Sequence, residues 1–364
     1  MKIVLAPDSF KGSLTQEEAI AAMTDGIREV SEDIIIDSIP VADGGEGTLY
    51  SVKRLFGGQT VTKKVTGPYG DPVEASYLLK AGTALIEMAE SSGLNLTDKR
   101  DVIHSSTYGT GELIMDAVRR GAKRIYVTFG GSATNDGGAG ILCALGFRLT
   151  DDEGNDIEPS NFGLQRLYCI DDSGVDGRLY DTEFILACDV RNTLCGKNGA
   201  TYVFGPQKGG RGEELEIMDF NLFRYAGLLE KQTGRKILSV EGSGAAGGAT
   251  VPFLAFFDSR VERGIDFVLS LSGFEDRIGD ADLIFTGEGR YDSQTGYGKV
   301  ISGIRQAADR KGVRLIVFAG SAEMDEKDVF EISDRTRSLE YNMANAYENL
   351  RHCTAGFLRR ELSK

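Results

Sequence analysis

The stretch from Val127 to Gly140 constrains the fold more strongly than any other part of the sequence. It begins in an apolar, β-prone run and ends in an apolar run with helical character. Five of its fourteen residues are glycine. Glycine lets a backbone adopt positive φ and approach a ligand closely, and a helix N-terminus offers unpaired N–H groups to an anion. The stretch therefore predicts a strand, a turn suited to an anion, and a helix. A tight turn capped by Asn135 or Asp136 explains the same pattern, so both interpretations stay open at this point.

Similar strand–loop units occur at both ends of the chain. The predicted strands there are Lys2 to Ala6, Ile34 to Val41, Asp282 to Thr286 and Arg314 to Phe318. A helix begins at Thr15, where Glu18 completes a capping box. We expect these strands to form one parallel sheet wound with helices, and a last helix over Asn342 to Leu362 to pack on the same domain. Ligands of such sheets bind beyond the carboxyl ends of the strands.

The middle of the chain has a different pattern. Short turns separate strand-like runs at Val61 to Val65, Val73 to Leu79 and Ala84 to Met88, which is typical of antiparallel hairpins. The expected class is α/β with two domains: a Rossmann-like parallel sheet built from both chain ends, and an inserted domain with a mixed sheet. The expected boundaries are 1–58 plus 264–364 for the first and 59–263 for the second, with the active site in the cleft between them.

Charge and composition exclude several classes of function. A net charge of −14 without any basic run argues against nucleic acid and anionic membranes as partners. The five cysteines form no C-x-x-C pair and only two histidines are present, so a zinc or iron–sulfur site is not expected. No apolar run reaches the roughly 18 residues of a membrane span. The N-terminus is interpreted as a first strand and not a signal peptide, and the location as cytoplasmic.

The predicted strand-end loops share a composition of carboxylates beside glycines and a few cations. The carboxylates are Asp8, Asp43, Glu46, Asp136, Asp189, Glu288 and Asp292, and the cations are Lys11, Arg191, Lys208, Arg290 and Lys299. Mg²⁺ takes one or two carboxylates together with phosphate oxygens, and lysine places a point charge on phosphate. Each residue alone also suits a helix cap, a turn or a solvated surface. Their recurrence after predicted strands indicates a magnesium–nucleotide site.

These loops resemble the class I glycerate kinases. The segments that carry the resemblance are A-P-D-S-F-K-G-S-L (6–14), V-A-D-G-G-E-G-T (41–48), V-T-G-P-Y-G (65–70), I-E-M-A-E-S-S-G-L (86–94), G-T-G-E-L-I (109–114), G-G-S-A-T-N-D-G-G-A-G (130–140), A-C-D-V-R-N-T-L-C-G-K-N-G-A-T (187–201), F-G-P-Q-K-G (204–209), G-A-A-G-G (244–248) and T-G-E-G-R-Y-D-S-Q-T (286–295). The resemblance implies ATP-dependent, Mg²⁺-assisted phosphorylation of D-glycerate to 2-phosphoglycerate, although related kinases form the 3-phospho isomer. Tyr108 and the run after Gly248, which carries Pro252, depart from the pattern.

The resemblance implies which positions form the site, and the chemistry of their side chains suggests the role of each. The expected catalytic residues are Asp189, Asp43 and Lys208, with either aspartate as base on the hydroxyl. The expected metal ligands are Glu288 and Asp292. The expected substrate- or phosphate-binding residues are Asp8, Lys11, Gly44, Gly45, Glu46, Gly131, Ser132, Asn135, Asp136, Arg191 and Lys299. The expected partners are ATP, Mg²⁺ and D-glycerate, and a homodimer is among the assemblies open to the chain.

Two other functions stay open on the sequence. G-x-G-x-x-G at Gly242 to Gly247, after a strand predicted over Ile237 to Val240, fits a dinucleotide turn and hence a nucleotide-cofactor oxidoreductase. Only Glu262 stands near the place of the acidic residue that binds a ribose. The third function is a non-catalytic protein that binds a hydroxy acid. No G-x-x-x-x-G-K-[ST] motif is present, which argues against a P-loop enzyme.

Overall fold

The computed structural model of the chain describes residues 1–10, 12–39, 41, 56–188, 190–291, 299–323 and 326–363, and only the backbone of residue 299. Its internal contacts divide the chain into two compact units. Unit 1 comprises Met1–Asp43 and Ile265–Lys364, and unit 2 comprises Gly44–Gly264. The two ends of the chain therefore fold together. Among the residues described, no helix combines the length and the apolar character needed to cross a membrane.

The regular elements follow one another along the whole chain. The strands are β1 (Lys2–Leu5), β2 (Ile35–Ser38), β3 (Gln59–Thr66), β4 (Pro72–Lys80), β5 (Thr83–Glu87), β6 (Arg124–Thr128), β7 (Arg148–Thr150), β8 (Cys169–Asp171), β9 (Glu183–Ala187), β10 (Asp258–Glu262), β11 (Leu283–Tyr291), β12 (Arg314–Ala322) and β13 (Val329–Glu331). The α-helices are α1 (Gln16–Arg28), α2 (Ala89–Ser92), α3 (Tyr108–Arg119), α4 (Ala139–Ala144), α5 (Asn161–Leu164), α6 (Ala200–Phe204), α7 (Glu213–Thr233), α8 (Val251–Phe256), α9 (Gly264–Leu271), α10 (Phe274–Arg277), α11 (Lys299–Lys311), α12 (Leu339–Ala344) and α13 (Ala346–Leu362).

Unit 1 is built on a parallel sheet with the strand order β13-β12-β11-β1-β2. Successive residues of β1 face opposite sides of this sheet. Ile3 and Leu5 pack with α1 and α13 in one apolar cluster, whereas Val4 packs with α9 and α11 in another. A sheet covered on both faces needs strands that are apolar at successive positions. The predicted Rossmann-like sheet from both chain ends is thereby confirmed.

Helix α1 begins and packs as its sequence predicts. Thr15 accepts a hydrogen bond from the Glu18 N–H at 3.2 Å, and the Glu18 carboxylate accepts from the Thr15 N–H at 2.8 Å, so the capping box is confirmed. The predicted last helix is interrupted at Asn345 and forms α12 and α13. Helix α13 packs on α1, where Tyr347 donates to Asp25 at 2.7 Å.

Unit 2 contains a mixed sheet with the strand order β10-β9-β6-β5-β4-β3. Strands β3, β4 and β5 pair antiparallel, as the hairpin signals predict, and the remaining pairs are parallel. Strand β10 was not expected, because D-S-R-V-E is a polar sequence that lies at the edge of the sheet. The predicted mixed sheet of the inserted part is confirmed.

The strand predicted over Ile237 to Val240 is wrong, because this segment forms a turn after α7. The Ile237 and Leu238 N–H groups donate to one carboxylate oxygen of Glu230, at 2.7 and 3.0 Å. A side chain of the preceding helix thus satisfies the donors that a sheet partner would otherwise take. The G-x-G-x-x-G segment consequently follows a turn and not a strand.

Candidate active site

The structure places the predicted site residues in both units and leaves several outside its description. Outside the described residues lie Lys11, Asp43, Gly44, Gly45, Glu46, Asp189 and Asp292, together with the side chain of Lys299. Unit 1 holds Asp8 and Glu288, and unit 2 holds Gly131, Ser132, Asn135, Asp136, Arg191 and Lys208. The roles predicted for the first set stay predictions.

Asp8 and Glu288 line one cavity of about 840 Å³ in unit 1. They are neighbours because β1 and β11 pair in parallel, and the Asp8 N–H continues this pairing with a 2.9 Å hydrogen bond to the carbonyl of Gly287. The Asp8 carboxylate accepts from the Ser9 N–H at 2.7 Å. The parallel pairing of β1 and β11 therefore brings two predicted carboxylates to one cavity, with Asp8 beyond the end of β1 and Glu288 on β11 itself.

An apolar part of the lining of this cavity was not anticipated. Phe10, Ile332, Leu339, Met343 and Ala346 contribute to it, and α12 and the start of α13 supply the last three. No sequence motif marks these residues. They come together with the carboxylates only when the C-terminal segment folds onto the sheet. A cavity lined by both carboxylates and hydrocarbon suits a ligand that has both a charged and an apolar part.

Strand β11 is longer than predicted, which changes the setting of Glu288. The prediction ended the strand at Thr286, whereas β11 continues to Tyr291 and pairs Glu288 with Ala319 of β12. A Cβ at Gly287 would collide with the backbone carbonyl of Phe318 and lie 2.9 Å from the Phe10 ring, so glycine is required at this position. Glu288 is thus held by a sheet and not by a loop.

The carboxylates of this cavity suit magnesium better than a transition metal. Within the described ranges, no group of three or more His, Cys, Asp or Glu side chains could hold a metal ion. Asp8 and Glu288 supply oxygen donors only, and Mg²⁺ commonly binds one or two carboxylates while phosphate oxygens and waters complete its shell. The donor set present therefore fits Mg²⁺.

In unit 2, the glycine turn between β6 and α4 folds around the carboxylate of Asp136. One oxygen accepts from the N–H and hydroxyl of Thr107, both at 2.8 Å, and from the Gly140 N–H at 3.1 Å; the other accepts from the Gly138 N–H at 3.1 Å. Burial raises the pKa of Asp136, and these donors oppose the rise. The anion at the N-terminus of α4 is thus a side chain of the turn itself, and direct contact of Asp136 with substrate stays a prediction.

The side chain of Lys208 bonds to two residues of the same turn. Its Nζ donates to the Ser132 hydroxyl at 2.9 Å and to the Thr134 carbonyl at 2.6 Å, and only 2% of the residue is exposed. Burial lowers the pKa of Lys208 to about 7, although Asp136 acts in the opposite direction. The sequence predicted that Lys208 and Ser132 serve one site, and the structure joins them by a direct hydrogen bond.

A chain of amide side chains reaches Asn135 from α7. Asn221 donates to the side-chain oxygen of Asn161 at 2.9 Å, and Asn161 donates to the backbone carbonyl of Asn135 at 2.9 Å and to its side-chain oxygen at 3.2 Å. Thr201 also donates to that oxygen, at 3.1 Å. Within the described part of the chain, Nδ2 of Asn135 has no hydrogen-bond partner. This buried donor is a polar group of the turn whose hydrogen-bonding capacity the described residues leave unused, and contact of Asn135 with substrate stays a prediction.

Arg191 forms a bidentate ion pair with Glu241. Two N–H groups of the guanidinium meet the two carboxylate oxygens, each at 2.9 Å, and both side chains are mainly exposed. The pair raises the pKa of Arg191 and lowers the pKa of Glu241. A cation predicted to bind substrate is therefore paired with a carboxylate of its own chain.

Comparison with known proteins decides the family. The sequence model of the glycerate kinase family matches residues 3–360. The chain belongs to the glycerate kinase family. It is 46% identical to the glycerate kinase of Bacillus subtilis (strain 168) over 335 residues, which cover 91% of this chain and 88% of that protein. It is 41% identical to the glycerate 2-kinase of Escherichia coli (strain K12) over 362 residues, which cover 96% and 95% of the two chains.

A solved structure extends this similarity to the fold. A crystal structure from Salmonella typhimurium LT2, described as a candidate glycerate kinase 2, superposes with a TM-score of 0.86 at 42% identity and covers 100% of this chain and 98% of that one. The resemblance drawn from the loop motifs is confirmed. The chain is thus a glycerate kinase, a phosphotransferase with an alcohol group as acceptor, and membership of a kinase family implies a nucleotide substrate.

The glycines that suggested a dinucleotide turn have a different task in this glycerate kinase. The carbonyl of Gly247 accepts from the Gly137 N–H at 2.9 Å, and a Cβ at Gly247 would collide with Thr134 and Asn135. This segment packs directly against the Asp136 turn, so its glycines permit two backbones of the same unit to meet. Pro252, one of the departures from the family pattern, lies in the first turn of α8, where proline is tolerated.

Proposed function

We propose that this glycerate kinase transfers the γ-phosphoryl group of ATP to the 2-hydroxyl of D-glycerate, with Mg²⁺, and forms 2-phosphoglycerate and ADP. The observation that carries the nucleotide and metal part is the placement of Asp8, beyond the end of β1, and Glu288, on the adjacent parallel strand β11, in one cavity. The 41% identity to a glycerate 2-kinase over 96% of the chain supports the 2-position.

The reaction exchanges one phosphorus–oxygen bond for another. The hydroxyl oxygen of glycerate forms a bond to the γ-phosphorus, the bond from that phosphorus to the bridging oxygen of ADP breaks, and the hydroxyl proton passes to a base. Asp189 and Asp43 stay the predicted bases. In the unit-1 cavity, the carboxylates of Asp8 and Glu288 would hold Mg²⁺, which when bound supplies positive charge to the phosphate oxygens.

The cavity also offers contacts for both parts of a nucleotide. The carboxylates of Asp8 and Glu288 suit the phosphates and their metal, and Ile332, Leu339 and Met343 offer hydrocarbon contacts to a base or a ribose. In unit 2, we propose that the side-chain amide of Asn135 donates to an oxygen of the substrate. Lys208 would position Ser132 and Thr134 beside it.

Product identification tests this proposal directly. The full-length protein is incubated with ATP, MgCl₂ and D-glycerate; ADP is followed by a coupled assay, and the product is identified by ³¹P and ¹³C NMR. We expect phosphate on the 2-oxygen, with L-glycerate as the control for acceptor stereochemistry. Phosphate on the 3-oxygen would show that the product is the 3-phospho isomer and would contradict the proposed position. No ADP at millimolar D-glycerate would contradict the substrate assignment.

The cytoplasm is the proposed location of this reaction. ATP is available there, and thiols are kept reduced. None of the five cysteines is in a disulfide. Burial raises the pKa values of Cys143 and Cys195 to about 12, so these two thiols stay protonated.

A further inference from the structure

The outer face of α7 carries an apolar stripe that no residue of the described chain covers. Ile217, Phe220 and Phe223 are 47%, 60% and 53% exposed, although the opposite face of the same helix, with Met218, Leu222 and others, is buried. Large exposed apolar side chains in a continuous row are unusual on an isolated protein surface and mark contact sites. The row lies on unit 2 and includes none of the residues assigned to the reaction.

The exposed face has the spacing of a helix-pairing seam. The spacing between its successive residues alternates between four and three. All of these residues are exposed: Glu213, Ile217, Phe220, Arg224, Gly227 and Lys231. This is the spacing by which one helix presents a single line of side chains to another helix. The seam is acidic at its start, apolar near the middle and basic at its end.

Gly227 within this seam has no explanation inside the chain. It lies well inside a 21-residue helix, where glycine is unfavourable compared with alanine. A Cβ built at this position meets no atom within 4 Å, so no packing contact of the described residues requires its absence. The glycine therefore leaves open space on the exposed side of the helix, which would let another helix approach closely.

We propose that α7 pairs with α7 of a second copy of this chain, antiparallel about a two-fold axis that passes between Phe220 and Arg224 on the exposed face, at the level of residue 222 along the helix. Glu213 and Lys231 lie equally far from Leu222 in sequence, as do Ile217 and Gly227, and Phe220 and Arg224. An antiparallel copy therefore sets each carboxylate opposite an ammonium group, each isoleucine opposite the space at a glycine, and each phenylalanine ring opposite a guanidinium. A second copy matches all three pairs at once, which is why it is the favoured occupant.

Sedimentation velocity of the full-length protein at about 1 to 100 μM measures the association. We expect a species of twice the 39.3 kDa chain mass. Phe220→Glu removes a central apolar contact twice in the symmetric interface, and the dimer dissociation constant should rise about a hundredfold or more. Ile35→Glu, at an exposed apolar residue of unit 1, is the matched control and should leave the dimer intact.

A charge exchange tests the register and does not depend on loss of structure. Glu213→Lys and Lys231→Glu should each weaken the dimer by about tenfold, because each reversal sets like charges opposite one another at two places. The double variant restores opposite charges and should return to within about threefold of the original affinity. Far-UV circular dichroism confirms that each variant is folded.

Three results would overturn the proposal. They are a single-chain mass at every concentration, a dimer that Phe220→Glu leaves unchanged, and a double charge variant that stays as weak as the single ones. In Gly227→Leu, the added side chain fills the space opposite Ile217. This variant should weaken the dimer by at least about tenfold while its unfolding temperature is not lowered, and an undiminished dimer would argue equally against the pairing.

Discussion

The ammonium group of Lys208 donates to the backbone carbonyl of Thr134 at 2.6 Å in a nearly water-free part of unit 2. A second hydrogen bond, to the Ser132 hydroxyl, fixes the ammonium group between two residues of the glycine turn. A charge held in this way is strongly desolvated, so protonation of Lys208 and the stability of the turn are linked.

Stability should therefore depend on pH through Lys208. Its pKa is lowered to about 7 in the folded protein, whereas an unfolded lysine has a pKa of about 10.4. Between these values the unfolded chain binds more protons, so this residue makes folding more favourable as pH rises from about 7 to about 10. Below about pH 7 both states are protonated and the contribution is constant.

Urea unfolding of the wild type and of Lys208→Met between pH 6 and pH 10 measures this effect. The difference between the free energies of unfolding of the wild type and the variant should shift in favour of the wild type as the pH rises above 7. Below pH 7 this difference should change little. Lys197→Met, at an exposed lysine of the same unit, should follow the wild-type pH profile. A wild-type advantage that does not change with pH would contradict the linkage.

Asp136→Asn should destabilise the protein by roughly 2–4 kcal/mol, because an amide cannot accept at both of its ends and a buried N–H would face another donor. Thr107→Ser keeps the hydroxyl that bonds Asp136 and is the matched control, with an expected loss below about 1.5 kcal/mol. Chemical denaturation followed by circular dichroism gives both values. Equal losses in the two variants would show that the carboxylate is not what holds the turn.

Asp8→Asn and Glu288→Gln should each lower kcat/KM by about a hundredfold or more, with an unchanged melting temperature, if these carboxylates hold the metal. The concentration of Mg²⁺ that gives half of the maximal rate should rise in both. Glu323→Gln changes a carboxylate of the same cavity that is paired with Arg290, and its effect should stay below about fivefold. Unaltered magnesium dependence in the first two variants would remove them from the metal site.

The Arg191–Glu241 pair offers a test of substrate binding by Arg191. If this guanidinium binds an anionic substrate, Glu241 competes with that substrate, so Glu241→Gln should lower KM while Arg191→Ala raises it about tenfold or more. Steady-state kinetics in glycerate and in ATP separately show which substrate is involved. If neither KM moves in either variant, the pair is a surface ion pair, which contributes at most about 1 kcal/mol to stability.

Local signals predicted many of the elements well. Helix α7 ends at Thr233 because a left-handed Gly234 follows it, which is a helix C-terminal signal that the sequence carries locally. The capping box at Thr15 and the hairpins of unit 2 are equally local, since a few neighbouring residues determine them. Where a pattern is complete within one segment, the sequence is sufficient.

Features that depend on distant partners could not be predicted in this way. Strand β11 extends to Tyr291 because β12 continues alongside it, and nothing in G-E-G-R-Y alone announces that partner. The apolar part of the lining of the unit-1 cavity arises from α12 and α13, which follow Glu288 by about fifty residues. At the N-terminus of α4, the pattern indicated an anion but could not distinguish a bound phosphate from the carboxylate of Asp136.

The Asp136 carboxylate also has a consequence for slow motions of the glycine turn. The amide protons of Thr107, Gly138 and Gly140 share this single acceptor group, although they come from two distant segments. Exchange of each amide proton with deuterated solvent requires the loss of its hydrogen bond to the Asp136 carboxylate. A single movement of that side chain therefore exposes all three protons together. They should therefore exchange at similar, slow rates and report the opening of one cooperative unit.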